Sequence, residues 1–108
     1  MPIERRIRDR QAFGRVMEAS KLSNKWFIAY SCENSQDCSR LGMVVSKKMM
    51  PKAVTRNYVK RMIREAFRQN MLAITPLDIV IRPRRPINPK DTTEGRKALE
   101  DLLLALRP

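Results

Sequence analysis

Apolar residues recur along this chain with two different periods, and the switches between them mark its elements. In DRQAFGRVMEAS, residues 9–20, Ala12, Phe13, Val16 and Met17 fall on one helical stripe, with Asp9 placed to cap it and Gly14 weakening it slightly. WFIAYSCE, from Trp26 to Glu33, is rich in aromatic and β-prone residues, and RLGMVVSKKM, from Arg40 to Met49, follows a polar NSQDCS connection of hairpin type. These two segments are expected to pair antiparallel. Beyond Pro51, Val59, Ile63, Ala66 and Phe67 repeat at the i, i+4, i+7, i+8 spacing of a core-facing helix, the strongest helical signal in the chain. LDIVIRPR, from Leu77 to Arg84, returns as a strand. The Pro-interrupted RRPINPKD then leads into a last helix over residues 91–106, where Asp91 and Glu94 have capping-box spacing and Ala98, Leu99, Leu102, Leu103 and Leu106 supply the apolar face.

The order helix, strand, strand, helix, strand, helix predicts an α+β chain in which a small sheet is covered by helices, with the strand order left open by pattern alone. A length of 108 residues suits one domain with one modest core, and 43% hydrophobic content lets it bury one. Residues 1–8 read as a flexible basic N-terminus ahead of it.

Charge sharpens the picture. Lys and Arg number 23 against 11 Asp and Glu, and the resulting formal charge of +12 concentrates anionic partners around the molecule, nucleic acid first among them. No segment approaches the roughly 18 continuous apolar residues of a spanning helix, and MPIERRIRDR lacks the apolar run of a signal peptide. No membrane role is expected, and a cytoplasmic location is. Cys32 and Cys38 are the two cysteines, and with no histidine in the chain they do not complete an ordinary zinc site; reduced thiols are expected. The absence of histidine and the dispersal of the carboxylates also speak against an autonomous nuclease, which needs convergent acid, base or metal-holding groups. A helix-turn-helix fits poorly, because Pro51 and a strand stand where its first helix belongs.

The helix over 55–70 carries the most chemistry. Val59, Ile63, Ala66, Phe67 and Asn70 share one side, while Arg56, Asn57, Lys60, Arg61, Arg64 and Arg68 fill an adjacent arc of roughly 140° at 100° per residue. Glu65 is the single acid on this helix. A helix needing only solubility usually mixes signs, since like charges repel at i, i+4. Arg forks and Lys point charges suit phosphate oxygens, and Asn57 could bond a base edge or a 2′-hydroxyl. Lys47 and Lys48, at the end of the preceding strand segment, enlarge the cationic area. A solvated face and a polyanion dock both fit this pattern. On the first strand, Trp26, Ile28 and Tyr30 alternate with Phe27 and Ala29, so both faces are apolar: one packs on the basic helix, and the other is covered or offered to unstacked bases. Taken alone, Phe13, Met17 and Tyr30 are more often core than platform.

SKKMMPKAVTRNYVKRMIREAFR, residues 46–68, together with RQAFGRVM, WFIAY and LDIVIRPR in the same order, resembles the bacterial ribonuclease P protein subunit along almost the whole chain. The resemblance implies a two-layer α/β sandwich of the ribosomal S5 domain 2-like type with a left-handed βαβ crossover. It implies an accessory protein that helps a catalytic, magnesium-requiring RNA remove the 5′ leader of precursor tRNA, with no catalytic residue, cofactor, metal or obligate protein partner of its own. Ser46, Lys47, Lys48, Arg56, Asn57, Lys60, Arg61, Arg64 and Arg68 would face RNA. Phe13, Met17 and Tyr30 would line a cleft for the single-stranded leader, with Trp26 and Ile28 in its floor. Two positions depart from the family pattern: Tyr58 stands where an Arg is usual and Met17 where a second aromatic is common. A structural RNA-binding module with no part in cleavage is the alternative.

Overall fold

The computed structural model describes residue 7 and residues 10–34, 38–70 and 76–106. Its elements are α1 (Arg10–Met17), β1 (Ser20–Ser23), β2 (Phe27–Glu33), β3 (Arg40–Met43), α2 (Ala53–Asn70), β4 (Leu77–Pro83), a single 3-10 turn at Pro89–Asp91, and α3 (Thr92–Leu106). The strands form one mixed sheet in the order β1-β2-β4-β3.

Ile79, Val80 and Ile81 are all fully buried. A strand that is apolar on both faces needs cover on both faces and a place inside the sheet. β4 takes that place, antiparallel to β2 through the register Phe27↔Pro83 to Glu33↔Leu77 and parallel to β3 through Arg40↔Asp78 to Met43↔Ile81. The expected antiparallel pairing of the segments 26–33 and 40–49 is therefore not formed, because β4 lies between them. The partner of β2 on its other edge is β1, which pairs antiparallel from Ser20↔Ser31 to Ser23↔Ile28. Its sequence, SKLS, is exposed at every position and so has no alternation to betray it. The parallel β3 and β4 are joined through α2, as parallel neighbours require a crossover connection.

The two faces of the sheet are filled unequally. Phe27, Ala29, Leu41, Ile79 and Ile81 meet Val59, Met62, Ile63, Ala66 and Phe67 of α2 and Leu99, Leu102 and Leu103 of α3 in the larger core. Tyr30 and Val80, on the opposite face, pack with Ala12 and Val16 of α1 and with Ile7 in a smaller cluster. Trp26 joins the larger core and not the Ile28 and Tyr30 side. The cause is local: the Asn24 side chain accepts the N–H groups of Trp26 and Phe27, both at 3.0 Å, so Trp26 belongs to the β1–β2 turn and the strand's alternation starts only at Phe27.

Element ends also shift. α1 is shorter than expected, and Asp9 lies outside the described residues. β3 stops at Met43, so Lys47 and Lys48 are in a turn. Asp91 does not cap α3 with Glu94; its carboxylate instead accepts the N–H of Asn88 at 3.1 Å, closing the 3-10 turn that precedes the helix, while Glu94 pairs with Lys25 at 3.7 Å.

Candidate RNA interface

α2 buries Val59, Met62, Ile63, Ala66 and Phe67, leaves Asn57, Arg61 and Arg68 exposed, and holds Arg56, Lys60 and Arg64 half-buried at its margins. Met62 widens the expected stripe, since a long unbranched side chain can turn inward from its edge. Asn70, also expected on this stripe, is half-buried and donates to the carbonyl of Ala66 at 2.8 Å, tying off the last turn.

The loop ahead of α2 is fixed by side chains. Ser46 Oγ accepts the N–H groups of Lys48 at 3.0 Å and Met49 at 3.4 Å, and Met50 N–H donates to the Ser46 carbonyl at 2.9 Å. Arg56 Nη1 donates to the carbonyl oxygens of Met50 at 3.0 Å and Pro51 at 2.7 Å. Ser46 and Arg56 thus clamp the turn that displays Lys47 and Lys48, both exposed, beside the first turn of α2. Pre-ordering the turn lowers the entropy that a flexible lysine pair would lose on meeting a phosphate.

At the outer edge of β3 the basic helix meets α1. A groove of about 280 Å³ is lined by Phe13, Gly42, Met43, Lys60 and Arg64, with Ile7 and Leu41 closing it. Ile7 N–H donates to the Leu41 carbonyl at 3.0 Å, which occupies part of the otherwise open strand edge. The Phe13 ring lies directly on Gly42: a Cβ at that position would stand 2.5 Å from Phe13 Cε2. Gly42 is a site residue that pattern did not reveal, although a glycine inside a strand is itself a sign of close approach. Phe13 therefore touches the same groove as Lys60 and Arg64. Met17 and Ile28 are half-buried on the same α1-covered face, Tyr30 is 8% exposed within it, and Trp26 is on the other side.

That face also holds a buried charge. The Asp78 side chain is fully buried and accepts Arg40 Nε at 2.8 Å and Nη2 at 2.6 Å in a bidentate pair, with Asn34 Nδ2 at 2.7 Å. Arg15 of α1 approaches the same carboxylate at 3.8 Å. Burial pushes the Asp78 carboxyl upward, but the hydrogen bonds from Arg40 and Asn34 and the charges of Arg40 and Arg15 outweigh it and hold the group below the ordinary carboxylate range. The single acid within the apolar run of LDIVI was the available signal, since a buried carboxylate requires a partner.

A small α+β scaffold, a clamped lysine turn, a cationic helix and an aromatic groove at its margin fit a basic RNA-binding protein, and no group of three or more Cys, Asp or Glu side chains placed to hold a metal ion occurs among the described residues. The comparisons narrow this. The family model for Ribonuclease P matches residues 1–107. The ribonuclease P protein component of Clostridium botulinum is 39% identical over 103 residues, 93% of this chain and 92% of that one; that of Thioalkalivibrio sulfidiphilus is 37% identical over 91 residues, 84% and 73%. Among solved structures, a Staphylococcus aureus RNase P protein mutant with defective mRNA degradation activity superposes with a TM-score of 0.82 at 34% identity, covering 93% of this chain and 86% of that one. The RNase P protein from Thermotoga maritima, in complex with 1-(4-fluorophenyl)-2-thiourea, gives 0.79 at 34% identity, covering 94% and 100%. The chain belongs to the ribonuclease P protein family, the accessory subunits of a ribonucleoprotein endoribonuclease of tRNA processing that act with the ribonuclease P RNA. No helix among the described residues is long and apolar enough to cross a membrane.

Proposed function

We propose that α2 and the clamped turn dock on the catalytic RNA while the groove at the β3 edge receives the 5′ leader of precursor tRNA. The observation that carries this reading is the shared groove: Phe13 offers a ring, and Lys60 and Arg64 offer cations, around one concavity of about 280 Å³. Unstacked bases bind on rings, and their phosphates bind on cations. Lys47, Lys48, Arg61 and Arg68, exposed along the turn and the crest of α2, meet RNA phosphates, while Ser46 and Arg56 hold the turn. Met17, Ile28 and Tyr30 do not line the leader groove; they pack in the same cluster as Phe13 under α1 and support its ring. Mature tRNA has no leader, so energy gained there favours substrate over product.

The protein performs no bond-breaking step in this scheme. In this reading magnesium is held by the RNA, and the buried carboxylate of Asp78 serves the fold through its pair with Arg40. What the chain supplies is positive charge that lowers repulsion between two RNAs, and its affinity should therefore fall steeply with salt, by a slope of roughly 0.7 to 0.9 per phosphate neutralised.

The test is cleavage of a precursor tRNA by a bacterial ribonuclease P RNA at low, near-physiological magnesium, with no protein, with this protein, and with an Arg61→Ala, Arg64→Ala double variant. Restored cleavage that the double variant loses is the expected outcome. Cleavage unaffected by a protein that still binds RNA tightly would replace this reading with that of a structural RNA-binding module.

A further inference from the structure

On the other flank of α2, about 160° around the helix from Lys60 at 100° per residue, lies a hollow that the proposed function does not use. Val54, Tyr58, Ile87 and Pro89 form most of its wall, with a volume of about 340 Å³, at the small end of ligand-sized cavities. Val54 is 81% exposed at its lip, an apolar side chain where packing asks for none. Tyr58 divides this hollow from a neighbouring one of about 220 Å³ bordered by Arg61, Glu65 and Arg96, and its hydroxyl accepts from Arg96 at 3.4 Å.

One ring thus has an apolar hollow on one side and two guanidinium groups on the other, tempered by Glu65. An unpaired nucleotide divides the same way, into a flat base and a phosphate. An apolar peptide would fill the hollow but leave Arg61 and Arg96 without an anion. We propose that the junction of α2 and α3 is a subsite for one unpaired nucleotide of the catalytic RNA, with its base on Tyr58 against Val54 and Ile87 and its phosphate between Arg61 and Arg96. The source is the catalytic RNA because the leader groove lies across the crest of α2, and the inference rests on the reading that α2 docks that RNA. It gives Tyr58 a role apart from the cations beside it.

The experiment measures affinity for ribonuclease P RNA alone, without substrate, using Val54→Asp, Tyr58→Ala, Tyr58→Phe and, as reference, a Lys47→Ala, Lys48→Ala variant. Val54→Asp should fold normally, since the site is exposed and an acid in the first turn of a helix is favourable. Val54→Asp and Tyr58→Ala should each weaken binding on the order of tenfold, the cost of losing one base stack, while Tyr58→Phe stays near the parent. Val54→Asp binding as tightly as the parent, with the lysine variant weakened, overturns the subsite and leaves the dock standing. No weakening in any variant overturns both. Unchanged RNA affinity with a lost preference for precursor over mature tRNA in Val54→Asp would assign the hollow to the leader and overturn the commitment made here.

Discussion

The two faces of the sheet are built for different ends. The face under α2 and α3 is sealed by long helices whose apolar stripes bury Phe27, Phe67, Ile63, Ile79, Ile81, Leu99 and Leu103 almost completely. The other face has only the eight residues of α1 across it, so Phe13, Met17 and Ile28 stay half-buried, and a bidentate ion pair replaces hydrocarbon at one end. A short helix over half a sheet is a poor way to make a core and a good way to leave a groove. Burial is concentrated on the closed face, while the open one keeps half-buried side chains and a groove at the seam where α2 meets it.

The comparison is tested most severely by Phe67→Ala. The ring is fully buried in the larger core, and its removal should cost about 4 kcal/mol of unfolding free energy in denaturant titration. A loss under about 1 kcal/mol, the size expected of surface changes, would show that the closed face does not carry the fold.

Asp78→Asn comes next, at about 3 kcal/mol, because it leaves Arg40 facing a neutral group in a buried site. The same carboxylate predicts a pH dependence. Its folded pKa lies below the ordinary value, so its contribution is complete above the unfolded pKa of about 3.9 and is lost as pH falls through the lower folded value. The parent should therefore lose more stability than Asp78→Asn between about pH 4 and strong acid. Parallel pH profiles for the two proteins would contradict the assignment of the low pKa to the Arg40 pair.

The sequence reveals the closed face better than the open one. The periodic stripe of α2 and the leucines of α3 announce themselves because each helix has one apolar side and the period repeats for several turns. β1 has no such signal, and the pairing of β2 with β4 depends on which strand most needs the middle of the sheet, a global comparison that local pattern does not make. At the candidate interface, the shared arc of the α2 cations and the common face of Phe13, Met17, Ile28 and Tyr30 were legible from period, whereas a cleft role for those four came from the family resemblance and not from the pattern. Trp26 was misplaced because the Asn24 turn interrupts the alternation. The carbonyl contacts of Arg56 and the seat of Phe13 on Gly42 were hidden, since both join residues through geometry and not through period.

Gly42→Ala should have a smaller effect, about 1 to 2 kcal/mol of overpacking. Its Cβ cannot coexist with the Phe13 ring at 2.5 Å, and β3 is held to β4 through the parallel register, so the ring must move. Precursor tRNA affinity should fall along with stability. A Gly42→Ala protein with intact leader discrimination would show that the groove tolerates a displaced ring and that Phe13 does not stack there.

Phe13→Ala has the smallest expected effect on the fold and separates the two faces most cleanly. The ring is half-buried, so its loss should cost about 1 kcal/mol of stability or less, several-fold under Phe67→Ala. In binding, the order reverses. Removing a stacking ring costs roughly 1 to 3 kcal/mol per base, which should appear as weaker affinity for precursor tRNA bearing a leader of several nucleotides and as unchanged affinity for mature tRNA. The two measurements are made on one variant, so a folding defect cannot imitate the result: it would lower both affinities together. If the variant keeps both affinities at the parent's level, the open face contributes shape alone, and leader recognition must rest on the cations of α2.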